Sequence, residues 1–89
     1  MYIKDVEQKV FALVSSLFPR AMEPISRDST WLELGADSLD IVEAIIEAEA
    51  LFQVQIPEHA CDGIDTVGKL IDAIALYGGA TNGQDKEKA

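Results

Sequence analysis

The sequence predicts an all-α four-helix bundle, with three longer helices and one short helix. Three observations carry this. Apolar residues recur at spacings of three and four in separate stretches, the signature of amphipathic helices. Proline and glycine fall between those stretches, where helices must stop. No alternating strand pattern persists: Phe52–Ile56 alternates, but it is too short to make a sheet alone.

The first helix spans about residues 3–18, with Ile3, Val6, Val10, Leu13, Val14 and Leu17 on one stripe. Pro19 cannot continue it and pushes Phe18 out of the helical region. Residues 19–37 carry Pro24, Ser26, Asp28, Ser29, Thr30 and Gly35 and read as a long loop. Ile25, Trp31, Leu32 and Leu34 are expected to pack that loop on the core. A second helix runs from about Ser38 to Phe52, with Asp37 as its N-cap. Pro57 is expected at the first position of a short third helix that stops at Gly63. Asp65 or Thr66 caps a fourth helix of about 66–77, with Val67, Leu70, Ile71 and Ile74 inward and Gly78 and Gly79 at its end.

The 89 residues suffice for one domain and not two. That domain is expected over 1–79, with a disordered polar tail over 80–89. A single cysteine, Cys61, allows no internal disulfide and fits a reducing cytoplasm. Asp5 and Glu7 interrupt any signal peptide. No apolar run approaches the roughly 18 residues of a membrane span. The chain is therefore expected to be cytoplasmic and monomeric, without membrane insertion.

Charge is unevenly distributed. No lysine or arginine lies between Asp28 and Gly68, whereas that stretch holds ten acids. Its formal charge of −10 compares with −9 for the whole chain. Nucleic-acid binding requires the opposite sign. Such a field steers basic protein patches inward.

The second helix carries two apolar stripes when drawn at about 100° per residue. Ile41, Ala44, Ile45, Ala48 and Phe52 form the natural core face. Leu39, Val42, Ile46 and Ala50 lie roughly opposite, flanked by Glu43 and Glu47. A domain this small rarely encloses a helix completely, so the second stripe reads as a docking surface. Ala44 and Ala48 are small for core positions, and Trp31 is expected to fold back across them.

The segment Leu34-Gly35-Ala36-Asp37-Ser38-Leu39-Asp40 resembles the prosthetic-group attachment motif of acyl carrier proteins. The flanks Val42-Glu43, Ile56-Pro57 and Asp65-Thr66-Val67 agree in order and spacing, and the resemblance covers about Ile3 to Tyr77. Asp37 before the serine looks like the carriers of fatty-acid and polyketide synthesis. What the resemblance implies is a non-catalytic carrier. Ser38 would take a 4'-phosphopantetheine arm from coenzyme A through a phosphopantetheinyl transferase and hold acyl groups as thioesters. Gly35, Asp37 and Leu39 would serve attachment. Asp40, Val42, Glu43, Ile46 and Glu47 would meet synthase and acyl-loading enzymes that carry basic patches. Glu49-Ala50-Leu51-Phe52, Gln53 and Gln55 are less acidic than in many fatty-acid carriers, which suggests dedicated partners.

The residues themselves point the same way. A phosphate on a serine at a helix start meets unpaired N–H groups and the positive dipole end. Gly35 allows a tight turn. No nearby base activates Ser38, since the one histidine, His59, is more than twenty residues away. His59 has no second ligand of suitable type nearby and is expected on the surface of the third helix. Cys61 reads as a small buried hydrophobe. Two other readings remain at this point: Ser38 as a simple N-cap, and an unmodified acidic adaptor for a basic partner.

Overall fold

The computed structural model describes residues 2–19, 21 and 24–79. Four helices follow in order: α1 (Ile3–Leu17), α2 (Ser38–Phe52), α3 (Glu58–Cys61) and α4 (Val67–Gly78). No strand occurs among the described residues; an isolated antiparallel bridge joins Thr30 to Thr66. The tail expected over 80–89 lies outside the described residues.

The core forms where the three longer helices turn their apolar stripes inward. Val6, Val10 and Val14 of α1 are fully buried, as are Leu70, Ile71 and Ile74 of α4. From α2 come Ala44, Ile45 and Ala48, with Ile41 and Phe52 packed half-buried at the edges. This is the stripe expected to face inward. Val54, Ile56 and Ile64 bury the connections on either side of α3, which itself contributes no buried side chain.

Several boundaries differ from the sequence reading. Pro57 is the N-cap of α3 rather than its first residue, and the helix ends at Cys61, with a turn at Asp62 and Gly63. Thr66, not Asp65, caps α4 by accepting the Lys69 N–H. Gly78 completes α4, and Gly79 alone takes the left-handed conformation. Leu32 is the clear correction in the loop: it is 86% exposed, while Trp31 before it and Leu34 two residues after it are buried. In a tight turn over residues 31–35, successive side chains cannot all face the core.

The long loop docks on the start of α4. Ser29 accepts the Val67 N–H at 3.0 Å, and Arg27 accepts the Gly68 N–H at 2.8 Å. The approach is close. A Cβ on Gly68 would lie 2.8 Å from the Arg27 carbonyl oxygen and 3.0 Å from its Cβ, so only glycine fits without displacing the loop. The Arg27 guanidinium then reaches Glu7 on α1 at 2.8 Å and Asp72 on α4 at 2.5 Å. The hydrogen bonds it donates to Asp72 and Glu7 hold its charge more firmly than usual. One residue thus ties the loop to two helices.

Candidate attachment site at the start of α2

The turn before α2 is held by its own backbone. Trp31 accepts N–H bonds from Leu34 at 3.1 Å and Ala36 at 2.9 Å, and Leu32 accepts that of Gly35 at 3.0 Å. Thr30 and Glu33 exchange side-chain bonds across the same turn, at 2.9 and 3.1 Å. Gly35 sits at φ +79°, a conformation that costs any residue with a Cβ. Beneath the turn Trp31 is 3% exposed, as expected. Its ring meets Phe18 at 6.3 Å, tilted by 48°, and its indole N–H donates to the Ile64 carbonyl at 2.9 Å. Phe18 and Ile64 are thus the partners the structure gives it, and it shares one core with Ala44 and Ala48.

Asp37 caps α2. Its Oδ1 accepts the Asp40 N–H at 2.9 Å, and Asp40 Oδ2 accepts the Asp37 N–H at 3.1 Å. This reciprocal box frees Ser38 from the capping role. Ser38 is instead the first helical residue, is exposed, and makes no side-chain hydrogen bond among the described residues. The N–H groups of Ser38 and Leu39 likewise have no partner among the described residues. The helix therefore presents open donors and its positive end beside a free hydroxyl. A Cβ built on Gly35 meets no atom within 4 Å, so the approach side is open.

The other expected site residues divide into two groups. Leu39, Val42 and Ile46 are 65%, 50% and 56% exposed and lie with exposed Glu43, Glu47 and Ala50. Asp40 stands apart: it is half-buried, and its carboxylate is engaged in the capping box. His59 lies exposed on α3. Cys61 is half-buried rather than buried, 3.8 Å from the Ile56 carbonyl. Burial, then the charges of Glu49, Asp62 and Glu58, push its thiol above the usual range.

Two contacts escaped the sequence reading. Glu49 accepts the Ile56 N–H at 2.7 Å, a bond that nothing in its local sequence announces. Arg27 in the loop pairs with Glu7 and Asp72, which lie 20 and 45 residues away in the chain. Its signal was its position, as the last base before a long acidic stretch.

A turn anchored by buried Trp31 and Leu34, a capped helix and an exposed serine at its start define a small helical protein with an unbonded hydroxyl, among the described residues, at a helix N-terminus. Comparison with known proteins agrees with this class. The family model "Phosphopantetheine attachment site" matches residues 8–74. The chain is similar to an acyl carrier protein of Prochlorococcus marinus, 38% identical over 72 residues, covering 80% of this chain and 90% of that protein. It is also similar to one of Amoebophilus asiaticus, 35% identical over 71 residues, covering 79% and 89%. The chain belongs to the acyl carrier protein family.

Proposed function

We propose that Ser38 is the attachment point of a 4'-phosphopantetheine arm, and that the chain carries acyl groups between the enzymes of a fatty-acid, polyketide or related synthase. The observation that carries this reading is the exposed, unbonded Ser38 beside two open N–H groups, with the cap supplied by Asp37 instead.

The residues present fit the group. In the transfer, the Ser38 Oγ–P bond would form as the phosphoanhydride of coenzyme A breaks; the hydroxyl proton would pass to a base supplied by the transferase, and the nucleotide bisphosphate would leave. The resulting phosphodiester carries a negative charge, which the start of α2 favours. Asp37 stands next to Ser38 and is exposed, where it can engage the transferase and its metal. When attached, the arm supplies a terminal thiol for thioester chemistry. Leu39, Val42 and Ile46 offer apolar contact, with Glu43 and Glu47 at their rim selecting basic partners. Residues 1–79 form the carrier domain in this reading.

Incubation with coenzyme A and a promiscuous phosphopantetheinyl transferase, read by intact mass, tests the proposal. The wild-type chain gains one arm, and Ser38→Ala gains none. Failure of the wild-type chain to gain mass would favour the unmodified acidic adaptor. For the docking face, Glu43→Lys with Glu47→Lys should weaken partner affinity strongly at low salt and little at high salt. Melting should barely move, because exposed charges contribute little to folding. Unchanged affinity at both salts would move the docking face elsewhere.

A further inference from the structure

The short helix α3 buries no side chain of its own. Its flanks hold it: Val54 and Ile56 on one side, Ile64 on the other. Two side chains from other elements then fasten its backbone. Glu49 of α2 accepts the Ile56 N–H at 2.7 Å, and Trp31 of the loop donates to the Ile64 carbonyl at 2.9 Å. The Cys61 contact with Ile56 lies inside the segment and ties it to nothing else.

Trp31 belongs to two structures at once. Its indole holds the far end of the α3 segment, while its carbonyl accepts the Leu34 and Ala36 N–H bonds that shape the turn leading to Ser38. We propose that residues 30–36 and 56–64 open and close as one cooperative unit, with Trp31 as the joint and Glu49 as the second fastener.

The physical argument follows from the buried indole. Moving α3 outward breaks its bond to Ile64, and a donor left unpaired in the core carries a desolvation penalty. The ring must therefore follow its acceptor or leave its place. Because ring and carbonyl belong to one residue, either movement strains the Ala36 bond to the Trp31 carbonyl and the Leu34 N–H, which is shared between the Trp31 and Thr30 carbonyls at 3.1 and 3.2 Å. The fully buried residues of α1 and α4 lie outside both segments and keep their contacts with one another, so this opening lies below global unfolding, although Trp31 and Ile64 share their core. The assignment of Ser38 as the attachment point enters only the consequence. In a carrier, any outward movement of α3 is then accompanied by loosening of the turn that presents Ser38. Trp31 is thus a positioning residue that couples the two.

Native-state hydrogen exchange on the unloaded chain at low denaturant tests the coupling. The Leu34 and Ala36 amides should share one opening isotherm with those of Cys61 and Ile64, below that of the α1 and α4 cores. Glu49→Ala should speed both groups by the same factor, about tenfold, although Glu49 bonds only to the α3 side. Trp31→Phe keeps an aromatic ring and removes the N–H. In that background Glu49→Ala should speed only the α3 amides. Two separate isotherms in the wild-type chain would overturn the proposal, as would Glu49→Ala speeding α3 alone when Trp31 is present. Should the phenylalanine variant not fold, the wild-type isotherms and Glu49→Ala still decide. No arm is present in this measurement, so its failure would leave the Ser38 assignment untouched.

Discussion

α2 and α4 begin in opposite ways. At α4 every early donor has a partner: Ser29 takes the Val67 N–H, Arg27 that of Gly68, and Thr66 those of Lys69 and Leu70. At α2 Asp37 satisfies Asp40, and the N–H groups of Ser38 and Leu39 have no partner among the described residues. The same four-donor problem of a helix start is solved by docking in one place and left half-solved in the other. The glycines carry the same contrast. Gly68 has no room for a Cβ, whereas Gly35 has open space and is required only for its φ. A closed start is structural cement; an open start with a free hydroxyl is a place where another molecule can act.

Breaking the support beneath the open start should have the largest effect. Trp31→Ala removes a buried ring and leaves the turn without its anchor, at a cost of about 3–5 kcal/mol. Chemical denaturation checks this, and so small a domain can unfold outright. In the native chain, tryptophan emission should be blue-shifted and poorly quenched by iodide. Emission like that of free tryptophan would show that the turn is not anchored as described.

Crowding the closed start comes next. Gly68→Ala sets a methyl 2.8 Å from the Arg27 carbonyl oxygen. Alanine favours a helix over glycine by about 1 kcal/mol. The clash is with backbone, and overpacking of this kind costs about 1–3 kcal/mol. The net change should therefore be a loss, and the midpoint of denaturation measures it. A stabilised variant would mean that the loop is free to retreat from α4.

At the open start the effects on stability should be smaller and those on loading larger. Asp37→Ala removes the cap and should cost about 1 kcal/mol. Asp37→Asn keeps a good cap, so melting should barely change while transferase turnover falls. Equal turnover for Asp37→Asn and the wild-type chain would confine Asp37 to capping. Ser38→Ala should change stability least, within about 0.5 kcal/mol, because the serine neither caps nor packs.

What could be read in advance was what is local in sequence. The valine stripe of α1 and the two faces of α2 follow from spacing, the cap at Asp37 from residue type, and all three appear as expected. The motif marked Ser38 because its neighbours lie within a few residues. The closed start of α4 was not legible, because it depends on carbonyls some forty residues upstream in the chain. Its local traces are the Thr66 cap and a glycine at the second position of the helix. Leu32 was misassigned for a related reason: apolar character sends a residue inward only if the turn geometry allows it. The Glu49 bond to the Ile56 N–H was not legible either, since nothing in its own helix announces it.

The most direct measurement locates the arm on the wild-type chain. No tryptic site falls between Asp28 and Gly68, so one peptide holds both Ser29 and Ser38, while Ser15, Ser16 and Ser26 fall elsewhere. Fragmentation of the loaded chain should place the added mass on Ser38 alone, the serine at the helix start left open. The added mass on Ser29, or on any serine outside that peptide, would contradict the account.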